Sequence, residues 1–130
     1  MNSKQKVIGL WILRLVAAVI MLQTLFFKFT GAPESVYIFS RLGMEPWGRF
    51  GTGALELIAS ILILIPRTSG IGGLLGLGLM GGALFFHVSS LGIVVQNDHG
   101  KLFGMALLVF FCCLVLVLVN RSQIIALVRK

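Results

Sequence analysis

Charge is scarce in this sequence. Asp, Glu, Lys and Arg make up 12% of its 130 residues, about half the roughly 25% of an average globular chain. Together with 58% hydrophobic residues, that excludes an ordinary water-soluble domain. Cysteine is nearly absent too. Cys112 and Cys113 are adjacent, so on a helix they point about 100° apart and cannot form the usual disulfide. Neither a C-x-x-C redox motif nor a zinc-ligand spacing exists, and two histidines do not make a haem or zinc site. Both cysteines are expected to be small apolar packing residues, and no metal is expected. Acidic residues number 4 against 11 basic ones. The basic residues are scattered between apolar runs rather than gathered into a patch, which points to topology marking and lipid headgroups and away from nucleic acid.

What is present in quantity is long apolar runs. A span takes about 20 residues, so this chain holds four and leaves no room for a separate catalytic domain. The runs place spans at about 7–27, 46–65, 70–90 and 102–119. The basic start resembles a signal peptide, but the first run is longer than an h-region and no small-x-small cleavage site follows, so the expectation is a retained span. Between spans one and two, Pro33 can open a short helix, Glu34 suits its first turn, and Gly43 can end it after Arg41. Its apolar residues Val36, Tyr37, Phe39 and Leu42 fit an interfacial helix or a lid. Pro66 to Ser69 is too short to be more than a turn, making spans two and three antiparallel neighbours. The fold class is therefore all-α, an integral membrane four-helix bundle with a short interfacial helix.

Six basic flanking residues (Lys4, Lys6, Arg67, Arg121, Arg129, Lys130) fall on one side and four (Lys28, Arg41, Arg49, Lys101) on the other. That asymmetry favours both termini in the cytoplasm.

Two charges interrupt the spans. Either one alone near the bilayer centre costs about 2.5–3.5 kcal/mol on insertion scales. Counted from Val7 and from Ile65, Arg14 lies roughly 10 Å deep and Glu56 roughly 14 Å deep, so a buried Arg14–Glu56 ion pair is expected. The helical phase of Arg14 carries Ala18, Met21, Leu25 and Lys28; that of Glu56 carries Arg49, Thr52, Gly53 and Ser60. His87, near the outer end of span three, shares a stripe with Gly73, Gly76, Met80 and Ala83. At similar depth, Lys28 and His87 can both donate hydrogen bonds to a ligand, with Met21, Leu25 and Met80 as adaptable walls and the loop carrying Gln96, Asp98, His99 and Lys101 nearby. Span three is rich in glycine. Gly72 with Gly76, and Gly78 with Gly82, are small-xxx-small pairs that serve internal packing or a homodimer.

Together these residues resemble the DoxX family of small four-span bacterial membrane proteins. The resemblance is carried by Arg14, by Phe27-Lys28-Phe29, by GAPES at 31–35 and by GMEPWGRFGTGALELIASILILIPRT at 43–68. It continues through the glycine-rich third span ending in His87 and DHGKLFGMAL at 98–107. It implies a multi-pass protein of the bacterial inner membrane. For some members it implies association with quinone-linked oxidoreductases, including a subunit of thiosulfate:quinone oxidoreductase. The expectation is a subunit that touches quinone or lipid, has no intrinsic cofactor, takes a bound quinone and meets a redox protein partner. A scaffold or assembly factor binding other membrane proteins is the alternative. A transporter needs a continuous polar path, for which Arg14, Glu56 and His87 are too few. No catalytic residue set emerges.

Overall fold

In the computed structural model, which describes residues 2–92 and 100–129, the apolar runs form helices and the polar stretches end them. Helix α1 (Ser3–Thr30) begins ahead of the expected span because Asn2 and Gln5 cap it reciprocally. The Gln5 amide donates to Asn2 Oδ1 at 2.8 Å and the Asn2 amide to Gln5 Oε1 at 3.1 Å, satisfying two donors that a first turn otherwise leaves free. At its other end Gly31 takes a left-handed φ of 71° and its N–H donates to the Phe27 carbonyl. Lys28 sits in the last turn, where the helix dipole favours a cation.

Helix α2 (Pro33–Arg41) has Pro33 at its start, Glu34 in its first turn and Arg41 in its last, and Gly43 then turns the chain at φ 73°. Helices α3 (Trp47–Leu64) and α4 (Ser69–Phe86) are joined by a single 3₁₀ turn, Pro66–Thr68. There the Thr68 hydroxyl donates to the Leu62 carbonyl at 2.7 Å, closing one of the carbonyls that the end of α3 leaves free. A single π turn, His87–Leu91, extends α4, and α5 (Lys101–Val119) is the last long helix. A further short helix, α6 (Arg121–Val128), has no counterpart in the sequence-based expectation. It is tied beneath α4 by Gln123, whose Oε1 accepts from the Gly70 amide at 2.8 Å and whose Nε2 donates to the Pro66 carbonyl at 2.9 Å. The expected loop residues Gln96, Asp98 and His99 lie outside the described residues.

Four of these segments are long and apolar enough to cross a membrane: α1, α3, α4 with its flanking turns, and α5. Their outer faces expose large apolar side chains, among them Ile12, Val19, Phe26, Ile58, Phe111 and Leu118. So much exposed apolar surface marks contact with lipid. The chain is an all-α, multi-pass membrane bundle. Helix α1 packs on α3 and α5, and α4 packs on the same two, so α1 and α4 face each other diagonally. The core between them holds Ala17, Met21, Ile63, Val109, Cys113 and Leu116.

Glycine permits this packing along α4. A Cβ on Gly72 would stand 2.6 Å from the Ile63 nitrogen, and one on Gly76 would stand 2.7 Å from Cys113 Sγ. Helix α4 therefore lies directly against the backbone of α3, and the Cys113 sulfur fills the space that Gly76 leaves. Both cysteines are buried and unlinked. Gly78 and Gly82 have nothing within 4 Å of a built Cβ. Among the described residues they make no close packing contact.

Candidate functional site: a cavity over a buried ion pair

At the end of the bundle where α1 finishes and α3 begins, three polar side chains meet. Lys28 Nζ lies 2.6 Å from Glu56 Oε1, and the Thr24 hydroxyl donates to Glu56 Oε2 at 2.6 Å. Glu56 is fully buried, while the Lys28 side chain keeps 16% of its surface. A carboxylate so far from water needs the adjacent ammonium to remain charged. The ammonium has three donor hydrogens and spends one direction on Glu56, leaving donor capacity toward the space beside it.

The expected Arg14–Glu56 pair does not form. Arg14 Nε donates to Ser69 Oγ at 2.8 Å and its guanidinium lies over the Trp11 ring at 5.0 Å. Ser69 in turn donates to the Ile63 carbonyl at 2.8 Å. Arg14 is thus level with the α3–α4 turn, whereas Glu56 is level with Thr24, which sits about 15 Å further along α1 at 1.5 Å per residue. The depths counted from Val7 and from Ile65 agree only if those two residues lie in one plane. They do not, because α1 runs past the α3–α4 turn.

The inward face of α3 carries Arg49, Gly53, Glu56 and Ser60, all buried, as its helical phase indicates. Arg49 does not face the cavity. Its Nε donates to Glu45 at 2.8 Å, and its Nη1 makes a short contact with the Lys28 carbonyl, so it clamps the end of α1 to the start of α3.

Above the ion pair lies a cavity of about 600 Å³, within the roughly 300–1,000 Å³ typical of ligand sites. Met21, Lys28, Met80 and His87, named from the sequence, all line it, and so does Lys101. Leu25, expected as a wall, is not among the lining residues; Phe27 and Phe86 are. Helix α2 extends across the end of the bundle and contributes Ile38 and Phe39. The open glycines Gly78 and Gly82 also border the space, which explains why no side chain crowds them. The walls are mainly apolar, with Thr24, Lys28, Glu34, Ser35, Thr52, Glu56, His87 and Lys101 as the polar lining residues.

His87 is 4% exposed, its ring edge-on to Phe103 at 5.7 Å. Its Nδ1 lies 2.9 Å from the Gly92 carbonyl, which can only accept, so Nδ1 carries the hydrogen. A neutral His87 therefore holds Nε2 as an acceptor. In that state Nε2 can accept a hydrogen bond from a ligand, while the ring's N–H is spent on Gly92. The π turn begins at His87, so this hydrogen bond ties the ring to the turn's far end.

Thr24, Ser69 and Glu45 were not singled out from the sequence. Thr24 had a usable signal: it lies one helical turn before Lys28, on the α1 face that also carries Met21. Among the described residues no three His, Cys, Asp or Glu side chains converge as metal ligands would.

A family model described as the DoxX-like family matches residues 12–119. That stretch includes every residue lining the cavity. No curated protein and no solved structure matches the chain.

Proposed function

The chain belongs to the DoxX-like family, and on that premise we propose that its cavity holds a quinone-class amphiphile in support of a membrane oxidoreductase. The observation that carries this reading is the Lys28–Glu56 pair at the cavity floor. A lone lysine would select an anion. A lysine neutralised by a buried carboxylate keeps hydrogen-bond donors but little net charge, which suits the carbonyl oxygen of a neutral ring. His87 Nε2 accepts from a hydroxyl, so the same site suits the reduced ring as well. Met21, Met80 and Phe86 supply adaptable apolar walls for ring and tail. No metal is needed for this role. The chain's contribution is to bind and orient the ring while the electron-transfer partner is a separate redox protein.

Purified protein should bind a short-chain ubiquinone or menaquinone analogue. The variant Lys28→Met/Glu56→Gln removes the donor without stranding a charge and should weaken binding about tenfold, the loss of one charge-assisted hydrogen bond. Gly82→Leu should weaken it as well by filling the cavity, at a position where a Cβ has no described atom within 4 Å. Unchanged binding in both folded variants would place the ligand elsewhere.

The protein is further proposed to lie in the bacterial inner membrane with both termini in the cytoplasm. The basic asymmetry of its flanks supports this arrangement. In a background lacking Cys112 and Cys113, cysteines placed at Ser35 and Ser122 should label from opposite sides. Labelling of both from one side would refute the topology.

A further inference from the structure

The end of the bundle opposite the cavity is basic and, among the described residues, has no acid. Of the three acidic residues among those described, Glu34 and Glu56 line the cavity and Glu45 pairs with Arg49 near it. Lys4, Lys6, Arg67, Arg121 and Arg129 belong to the segments that gather at the other end: the start of α1, the α3–α4 turn and α6. Between them lies a groove of about 540 Å³, lined by Lys6, Leu118, Val119, Arg121 and Ser122.

The groove combines two chemistries. Lys6, Arg121 and the Ser122 hydroxyl are hydrogen-bond donors, two of them cationic, at the junction of α5 and α6. Leu118 and Val119 belong to the last turn of α5 and are exposed, on a helix apolar enough to span the membrane. A ligand that fits carries an anionic oxygen cluster on an apolar body. A phosphate ester at a membrane boundary has that form, and Arg with Lys is the pair best suited to its oxygens.

We propose that this groove binds the phosphate of an acidic phospholipid, with the acyl chains running along Leu118 and Val119. Lys6, Arg121 and Ser122 lie outside the segment matched by the family model, so the site belongs to this chain's own flanks. Its occupation ties the start of α1 to the α5–α6 junction. It lies at the far end from the cavity and does not depend on what the cavity holds.

The test uses the full chain, delipidated in detergent, with added dioleoylphosphatidylglycerol or dioleoylphosphatidylcholine and read by native mass spectrometry. The wild type should retain the phosphatidylglycerol at least about tenfold more than the zwitterionic lipid. Lys6→Gln/Arg121→Gln should lower retention about tenfold, while Lys4→Gln/Arg129→Gln, with the same loss of charge outside the groove, should change it less than about twofold. The single variants Lys6→Gln and Arg121→Gln provide the same comparison should the double variant fold poorly. Equal retention of the two lipids, or an equal fall in both double variants, would overturn the proposal. Displacement of the lipid by millimolar inorganic phosphate would also overturn it, because the occupant would then be a free anion.

Discussion

Lys28→Met should destabilise the bundle by about 3 kcal/mol, the low end of the cost of stranding one member of a buried pair. The reason lies in the asymmetry of burial. Glu56 is fully buried, so losing the ammonium leaves its carboxylate without a counter-charge in a poor environment. The opposite deletion, Glu56→Gln, should cost only about 1 kcal/mol, because Lys28 keeps some exposure near the helix end and its stem can carry the ammonium outward. Lys28→Met/Glu56→Gln should cost only about 1 kcal/mol, a coupling of about 3 kcal/mol in a double-mutant cycle read by unfolding in detergent. Arg14→Met and Glu56→Gln should instead add, since Arg14 is bonded to Ser69 and not to Glu56. Strong coupling of Arg14 to Glu56 and none of Lys28 to Glu56 would refute this arrangement of α1 and α3.

The second large effect is steric. Gly76→Ala should cost about 1–3 kcal/mol, the usual range for overpacking a filled core, because its Cβ would stand 2.7 Å from Cys113 Sγ. The next neighbour is Met21 Cε at 3.7 Å, an ordinary contact. Removing the sulfur should therefore make room. Cys113→Ala alone opens a void, but Gly76→Ala/Cys113→Ala should be more stable than the sum of the two single losses predicts. Gly82→Ala, with open space around it, serves as the near-neutral control. Additive losses at Gly76 and Cys113 would mean that α4 and α5 do not meet there.

The segments of this fold that the sequence makes legible are those governed by one helix at a time. The four apolar runs, the Pro33 start and Arg41 end of α2, the tight α3–α4 turn and the inward face of α3 all follow from local composition and a 3.6-residue period. The cavity residues Met21, Lys28, Met80 and His87 were legible for a related reason. Each lies near the same end of its helix, and antiparallel connections bring those ends together.

The vertical offset between neighbouring helices was not legible. Apolar boundaries locate a span to within a few residues, whereas an ion pair requires the register to within one. Helix α1 begins below the plane of the α3–α4 turn, and that displacement moved the partner of Glu56 from Arg14 to Lys28. The hydrogen bond of His87 to Gly92 was hidden for a different reason. It depends on a π turn that brings the Gly92 carbonyl back to the ring, and no local pattern marks such a turn. Helix α6 was hidden because its apolar residues are too few to register as a span. Its position depends instead on the contacts of Gln123 with Pro66 and Gly70.

That the cavity above Lys28 and Glu56 holds a neutral amphiphilic ring is the central claim, and native mass spectrometry of the gently solubilised wild type tests it most directly. The account predicts one quinone per chain, carried through purification and lost from Lys28→Met/Glu56→Gln and from Gly82→Leu. Wild-type protein that carries no quinone and takes up none on addition would contradict it.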